Sequence, residues 1–467
     1  MIFTPKYIKT SPGGYILPKK VVAKAHPCLN KAVIKEFWNN FSFGYSELLI
    51  IEDESFVFSV GNASPLPRSG EEYSINVTAA GICICAQDEK TLIHGFMTLL
   101  DQIKATDSDE TGAKIPSCEI FDSGEIGFRA VHFCVFPETE LWELRHYLRF
   151  AAALRYTHAV IEFWGTLKYD AMAELSWKKA YNKEQIRPIL SEARDLGLEI
   201  IPMFNHWGHA AASRARHGKH VVLDQNPALQ SYFSEDGWCW NIRKPKVKAL
   251  LSKIRRELVE ICGEGKYFHI GCDEAYNFEF SNENMDFISD FINEINADLA
   301  TLGRRAIAWG DMFLYKHPEY STANRYTCNA PSLEAEEYLL GRLDKSVIIA
   351  DWQYNAPTEP VETAAVFKRG GFDTVICPWD TGRANTRAAI STVKREGLLG
   401  FIHTTWHTLS EGMPFVVLTA IEGYQHIEDY GKLAVRIVAA ALWRKVMPAA
   451  GDYEKAGWSK SQIDFLW

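Results

Sequence analysis

Two adjacent acids, Asp273 and Glu274, follow an apolar stretch of the chain that ends in Gly271. Neighbouring residues on a regular strand point to opposite faces, so both acids can serve one site only if the strand has ended at Gly271 or Cys272. A glycine there lets the backbone turn and approach a ligand closely. Glycoside hydrolysis needs two carboxyl groups with different pKa values, one protonated donor and one ionised stabiliser. The pair therefore indicates acid–base chemistry, although an Asp-Glu dipeptide can also be a solvated loop.

Tryptophans are the second chemical signal. The chain has fourteen, and six lie at or just beyond the end of a predicted strand: Trp164, Trp207, Trp309, Trp352, Trp379 and Trp406. Barrel interiors are filled mainly by Leu, Ile and Val, whereas flat aromatic rings stack on the C–H faces of pyranoses. Six such rings predict the walls of a sugar site around the acids, and the alternative is that some of them only plug the barrel mouth.

Further polar residues follow the same strand ends. Glu162, Asp311 and Asp380 are carboxylates at three of these ends. His206, His209 and His269 approach the same place, and a metal site would pair them with Asp273 or Asp311. They lack the HExxH spacing on a helix, so we favour orientation of carboxylates or contact with sugar hydroxyls, with no metal.

The elements that must position these residues alternate from residue 126 onward. Strands are predicted at 130–136, 158–163, 199–204, 267–271, 305–309, 346–351, 374–378 and 400–404, each followed by a helix. Eight β-then-α units in about 300 residues predict a (β/α)8 TIM barrel, with its chemistry at the C-terminal ends of the strands. Short strands and one covering helix predict a small α+β accessory domain before it. The expected division is an accessory domain at 1–125, a catalytic barrel at 126–430, and a C-terminal helix and tail packing on the barrel at 431–467.

Composition limits the partners and the cellular setting. The net charge is −9 with no basic tail, which argues against nucleic acid, and no apolar run of about 18 residues is present to span a membrane. No Gly-rich dinucleotide fingerprint follows the first strand of any unit, so no cofactor is expected. The first twenty residues lack the apolar core of a signal peptide. We therefore expect a cytoplasmic protein, or a secreted one whose leader has been removed, and the sequence leaves its oligomeric state open, a homo-oligomer included.

Several segments together resemble the family 20 glycoside hydrolases, the β-N-acetylhexosaminidases. Phe268-His269-Ile270-Gly271-Cys272-Asp273-Glu274 is similar to the HIGGDE motif of that family, with Cys272 in place of the second glycine. The stretch from Glu184 to Ala210, the entry Phe128-Arg129-Ala130 and the helix around His94–Leu100 also resemble family segments. The resemblance covers about residues 30–430 and identifies the chain as a divergent member.

The resemblance implies a retaining exo-hydrolase that removes terminal β-linked GlcNAc or GalNAc by substrate-assisted catalysis. The 2-acetamido oxygen attacks the anomeric carbon, forming an oxazolinium ion, so no carboxylate of the enzyme acts as nucleophile. Glu274 is then the general acid/base, and Asp273 orients the acetamide and stabilises positive charge at its nitrogen. Trp309, Trp352 and Trp406 match the acetamide and sugar-stacking tryptophans of the family.

Departures from the family pattern concern recognition of the sugar hydroxyls. The LDxaR segment after the first strand reads Phe133-Cys134-Val135-Phe136-Pro137 here, so its arginine is absent. The Trp-x-Glu after strand eight reads Trp406-His407-Thr408. Asp380 and Arg383 are candidate replacements, and Tyr354 is the candidate contact to the acetamide oxygen.

Two other functions remain open at this point. One is a glycoside hydrolase with a carboxylate nucleophile, such as Asp311 or Asp380, opposite Glu274. The other is a catalytically silent barrel that only binds glycans. An intact Asp273-Glu274 pair argues against the silent barrel, and the fold alone decides neither question.

Overall fold

A computed structural model describes residues 2–66, 70, 72–106, 112–210, 222–406, 409–424 and 432–448. Its N-terminal part is a mixed sheet with the order β1-β8-β5-β6-β4-β2-β3, to which β7 adds by pairing with β8. The strands are β1 (Tyr7–Ile16), β2 (Lys20–Ala25), β3 (Glu47–Glu52), β4 (Val57–Gly61), β5 (Tyr73–Thr78), β6 (Gly81–Ala86), β7 (Lys104–Ala105) and β8 (Ala113–Asp122). The helices α1 (Lys31–Phe41) and α2 (Glu89–Leu100) belong to the same part.

Helix α2 shows how this part is held together. Asp88 caps its N-terminus, where the Asp88 side chain accepts a hydrogen bond from the Thr91 N–H at 2.8 Å and the Thr91 hydroxyl lies 3.0 Å from the Asp88 N–H. Such a capping box satisfies two backbone donors that the first turn of a helix leaves unpaired. Ten of its residues are buried, since the helix packs against β5 and β6.

The second part is a closed parallel barrel, in which the last strand pairs with the first. Its strands are β9 (Phe128–Cys134), β10 (His158–Glu162), β11 (Glu199–Met203), β12 (Tyr267–Gly271), β13 (Arg305–Trp309), β14 (Ile348–Trp352), β15 (Thr374–Cys377) and β16 (Gly400–His403). The helices are α3 (Leu141–Ala153), α4 (Lys183–Asp195), α5 (Val222–Gln225), α6 (Pro245–Cys262), α7 (Asn282–Ala300), α8 (Leu333–Arg342), α9 (Glu362–Arg369), α10 (Arg383–Glu396), α11 (Leu409–Tyr424) and α12 (Lys432–Lys445). The predicted fold class, a (β/α)8 barrel preceded by a small α+β domain, is confirmed.

Alternate residues of the strands fill the barrel interior, as the two-residue period of a strand requires. Val160, Ile201, Ile307 and Ile348 form an inner cluster that also includes Trp309 and Cys377. This cluster extends up to the strand ends, because Trp309 and Cys377 are the last residues of β13 and β15. Among the described residues, no helix combines the length and apolar character needed to cross a bilayer.

A buried polar group joins the two parts. Asp122, at the end of β8, accepts hydrogen bonds from the hydroxyls of Tyr73 at 2.9 Å and Tyr424 at 3.0 Å. Arg155, which follows α3, donates to the Thr98 hydroxyl at 2.7 Å and lies 3.8 Å from the Asp122 carboxylate. Because all these groups are buried, the contacts hold the accessory sheet against the barrel. The C-terminal tail beyond residue 448 lies outside the described residues, as do His407 and Thr408.

Candidate active site

The end of strand β12 shapes the site. The strand ends at Gly271, which is the condition under which both acids can face one site. The backbone then has positive φ angles of +67° at Gly271, +76° at Cys272 and +52° at Glu274. A Cβ atom on Gly271 would lie 1.9 Å from the Asn205 side-chain oxygen, so only glycine fits there. The left-handed turns break the alternation of the strand, and Asp273 and Glu274 consequently reach the same imidazole.

That imidazole belongs to His209, in the segment after β11. Its Nε2 lies 3.3 Å from Asp273 Oδ2 and 3.0 Å from Glu274 Oε2. The preceding Gly208 lets the two segments touch, because a Cβ there would lie 1.9 Å from the carbonyl oxygen of Asp273. The Asp273 side chain is nearly buried, whereas that of Glu274 is 24% exposed. The His209 Nε2 atom thus contacts both carboxylates, and Glu274 is the acid that is more accessible to a ligand.

A third carboxyl group, that of Asp311, lies behind the pair just after β13. It accepts hydrogen bonds from the backbone N–H of Glu274 at 3.0 Å, the amide of Asn329 at 2.8 Å and the indole N–H of Trp352 at 3.0 Å. Burial, reinforced by the nearby charge of Asp273, raises the pKa of Asp311 to about 7. Near neutral pH a proton can therefore reside on Asp311.

Aromatic side chains from four strand ends form one wall. The Tyr354 ring lies 5.1 Å from Trp352 and 5.2 Å from Trp379, and its hydroxyl accepts a hydrogen bond from the Trp406 indole N–H. The Trp406 ring in turn lies 5.6 Å from that of Trp309. This group, defined by these five residues, is called the aromatic wall below. Burial raises the pKa of Tyr354, so its hydroxyl stays protonated.

The two remaining predicted tryptophans lie outside this wall. Trp164 packs with Cys134 and Phe136, and Trp406 covers the three of them. The Trp207 ring packs edge-on against Phe278 at 4.8 Å and lines a separate surface cavity of about 380 Å³. Four of the six predicted rings therefore belong to the aromatic wall, one lies beside it, and Trp207 faces this separate cavity.

The predicted polar residues differ in their burial. Glu162 is fully buried at the end of β10, where its Oε1 accepts a hydrogen bond from Asn205 at 3.0 Å. Asp380 and Arg383 are half-buried just after the Trp379 end of the wall, and Arg383 is the first residue of α10. Their proximity to Trp379 in the sequence is the observation that keeps both residues as candidate contacts.

The predicted histidines make separate contacts at the strand ends. His206 is buried with its Nδ1 2.6 Å from the carbonyl of Phe204, and burial lowers its pKa to about 3. His269 accepts the Gly271 N–H at 3.1 Å and packs against Trp309. In the part of the chain that the structure describes, one group alone brings three different ligand atoms within 4.8 Å, namely His132, Cys134 and Glu162.

Two aromatic residues beside the acids were missed by the sequence reasoning. The Trp238 indole N–H donates to the carbonyl of Glu274 at 2.6 Å, and its ring lies 4.4 Å from that of His209. Tyr276 is 60% exposed and its ring is nearly parallel to that of Trp238 at 6.2 Å. Burial and a hydrogen bond to Glu274 raise the pKa of Tyr276. Tyr276 directly follows the acid motif, whereas nothing in the sequence connects Trp238 with it.

Most of the barrel matches a known family of catalytic domains. Residues 157–382, which include strands β10 to β15 and both acids, match the glycosyl hydrolase family 20 catalytic domain. The barrel belongs to glycosyl hydrolase family 20. In this family 20 barrel the Asp273-Glu274 pair stands at the end of the fourth strand, β12, counted from β9.

Individual relatives are distant. A beta-hexosaminidase of Porphyromonas gingivalis is 21% identical over 299 residues, which are 54% of this chain and 37% of that protein. The matched region is therefore little more than a third of that relative. The solved exo-β-N-acetylglucosaminidase of Vibrio harveyi superposes with a TM-score of 0.68 at 15% identity, covering 95% of this chain and 76% of that chain. The β-N-acetylhexosaminidase of Bacteroides fragilis superposes with a TM-score of 0.66 at 15% identity, covering 98% and 95%. These two likenesses show that the family 20 barrel and its accessory sheet share one fold with those proteins.

Proposed function

We propose that the protein is a retaining exo-β-N-acetylhexosaminidase that removes terminal β-linked GlcNAc or GalNAc from oligosaccharides or glycoconjugates. The observation that carries this proposal is the pair of adjacent acids, Asp273 and Glu274, held by one histidine at the end of β12 in a family 20 barrel. The P. gingivalis and V. harveyi proteins, a hexosaminidase and an exo-β-N-acetylglucosaminidase by name, support the same substrate class.

Glu274 is the proton donor of the proposed reaction. Its carboxyl group is partly exposed at the mouth of the site, so it can reach a glycosidic oxygen. As Glu274 gives its proton to that oxygen, the acetamido oxygen of the substrate attacks the anomeric carbon and the leaving alcohol departs. Water then opens the oxazolinium ion and returns a proton to Glu274, which restores the enzyme and retains the anomeric configuration.

Asp273 stabilises the positive charge that develops on the acetamido nitrogen. Its carboxylate is nearly buried, and electrostatic stabilisation is stronger where water is excluded. Asp311 supports this role by accepting a hydrogen bond from the backbone N–H of Glu274, which fixes the chain directly after Asp273. Asp311 itself does not touch the substrate in this scheme and acts as a positioning residue.

Tyr354 is the proposed donor to the acetamido oxygen. Its hydroxyl oxygen accepts a hydrogen bond from the Trp406 indole N–H, so its own proton can be donated to the Thr404 oxygen at 3.2 Å or to a ligand oxygen that replaces it. The rings of the aromatic wall on either side can enclose the methyl group and the pyranose face. This arrangement fixes the acetamide in a position from which it can attack.

Geometry disfavours a carboxylate nucleophile at Asp311. The side chain is almost fully buried, and its two oxygens hold three donors that belong to the protein. An attack on an anomeric carbon would require those hydrogen bonds to break without replacement. Asp380 is half-buried and remains the carboxylate that an experiment must exclude.

The test is turnover of aryl β-N-acetylglucosaminides and galactosaminides by Glu274→Gln and Asp273→Asn variants. We expect kcat to fall about 10²- to 10⁴-fold for the first and about 10²-fold or more for the second. Glu279→Gln, an exposed acid in the same loop, is the matched control and should retain activity. Near wild-type turnover by Glu274→Gln would refute the assignment.

A second measurement separates the two nucleophiles. A thiazoline mimic of the oxazoline should inhibit competitively if the acetamido group attacks. Trapping of a covalent glycosyl-enzyme on Asp380 would instead establish a carboxylate nucleophile. Absence of hydrolysis in the wild-type protein, with retained glycan binding, would favour the silent barrel.

A further inference from the structure

We propose that His132, Cys134 and Glu162 form a zinc site inside the barrel, separate from the acid pair. His132 and Cys134 are two residues apart on β9 and therefore share a face of that strand. Glu162 ends the neighbouring strand β10, directly opposite Cys134 in the parallel register. All three residues are fully buried.

The separations of the three ligand atoms match those around a tetrahedral zinc ion. His132 Nε2 lies 3.4 Å from Glu162 Oε2, Cys134 Sγ lies 3.5 Å from the same oxygen, and Sγ and Nε2 are 3.6 Å apart. Zinc bonds of about 2.0 to 2.1 Å to nitrogen and oxygen and about 2.3 Å to sulfur give tetrahedral edges of about 3.3, 3.5 and 3.6 Å in the same order. The three atoms can therefore bind one ion without rearrangement of the strands.

Charge supports an ion at this position. The buried carboxyl group of Glu162 contacts His132, Cys134 and Asn205 among the described residues, and none of these contacts is to a Lys or Arg side chain. A buried carboxylate is stabilised by a nearby cation, which at this position can be a metal ion bound together with the imidazole. A Zn²⁺ ion with one thiolate, one carboxylate and one neutral imidazole has zero net charge. Binding releases the thiol proton of Cys134 to solvent, and no other bond changes.

The surroundings orient the ligands and indicate what the ion does. Asn205 binds Glu162 Oε1 and so leaves Oε2 for the metal, an outer-shell arrangement that is common at zinc sites. The Trp406 ring lies edge-on to His132 at 4.6 Å. An ion here would tie the ends of β9 and β10 together beneath Trp406. Because its ligands are buried, we assign it a positioning role for the aromatic wall, with water in the fourth position.

Metal content is the direct test. The full chain is expressed in medium supplemented with zinc, purified without chelators, and analysed by mass spectrometry for metals, because a buried site is loaded during folding. We expect one zinc ion per chain. Expression with cobalt instead should give the visible absorption of tetrahedral cobalt and a thiolate-to-cobalt charge-transfer band. Substoichiometric zinc together with absence of these bands would overturn the proposal.

Variants assign the ligands. Cys134→Ser should abolish the charge-transfer band, and Glu162→Gln should lower the metal content of a chain that keeps its thiol. Cys377→Ser is the control, because it removes a buried thiol of the same barrel that is not in the group. Persistence of the charge-transfer band in Cys134→Ser would refute the site even if Glu162→Gln failed to fold. None of these readouts depends on hydrolytic activity.

Discussion

Replacement of Asp311 by alanine tests the reasoning about the buried carboxyl behind the acid pair. The substitution removes the acceptor of three hydrogen bonds, those from the Glu274 N–H, the Asn329 amide and the Trp352 indole. Each of these half-buried donors that loses its acceptor costs about 1 kcal/mol, so the three together cost about 3 kcal/mol. Release of the Glu274 backbone should also misplace the proton donor, and we expect kcat to fall about 10²-fold.

The raised pKa of Asp311 also makes the free energy of unfolding depend on pH. Burial raises the pKa of Asp311 from its ordinary value near 3.8 to about 7, so the folded protein binds the proton more tightly than the unfolded chain. The stabilisation from that proton is full below the unfolded pKa and is lost as the pH rises through the folded pKa. Between about pH 5 and pH 7 the wild type therefore loses about 2 kcal/mol that Asp311→Ala cannot lose.

Urea unfolding of both proteins at a series of pH values measures this difference. The variant should be less stable by about 3 kcal/mol near pH 5, and the gap should close at about pH 8. Asp290→Asn removes an exposed carboxylate that pairs with Arg342 and should show a small, nearly constant difference. A stability difference between wild type and Asp311→Ala that stays constant across this pH range would refute the assigned pKa.

Three further substitutions test the groups around the acids. Tyr354→Phe removes the hydroxyl that accepts the Trp406 N–H, and steady-state kinetics should show kcat lowered about 10²-fold with a smaller change in KM. Trp238→Phe keeps a ring but loses the hydrogen bond to the Glu274 carbonyl, which should cost about 1 kcal/mol in urea unfolding and lower kcat. Tyr276→Ala removes an exposed ring beside the acid, so kcat/KM for disaccharides should fall about tenfold relative to that for a methyl glycoside.

Much of the fold could be predicted because its elements obey regular periods. The barrel strands after the first lie within one or two residues of their predicted positions, since each is a short apolar run before an amphipathic helix. The accessory sheet was only partly predicted. Strand β1 contains Pro12, Gly13 and Gly14, which ordinarily indicate a turn, and its pairing with β8 is irregular between Thr10 and Gly14. Tertiary pairing forms that strand despite its local sequence.

The site was less predictable than the strands that present it. Adjacency in the sequence drew attention to Asp273 and Glu274, and their position after a predicted strand indicated the correct end of the barrel. The cluster of His132, Cys134 and Glu162 was not predicted, because its members come from two strands and meet only when the register of β9 and β10 is known. Trp238 was missed because it lies in the long segment between β11 and α6, far along the chain from any strand end.

Backbone strain at the Asp273-Glu274 pair explains why neighbouring residues must hold its backbone in place. Six non-glycine residues of the described chain have positive φ, and four of them lie at the strand ends of the site: Trp164, His209, Cys272 and Glu274. Each such conformation costs roughly 1 to 3 kcal/mol and persists only where its surroundings enforce it. The Glu274 backbone is held on both sides, its N–H by Asp311 and its carbonyl by Trp238. Since these partners come from β13 and from the segment before α6, the position of the proton donor depends on three parts of the barrel at once. The position of the Asp-Glu pair therefore depends on both partners of that backbone, and we expect the loss of either to lower kcat.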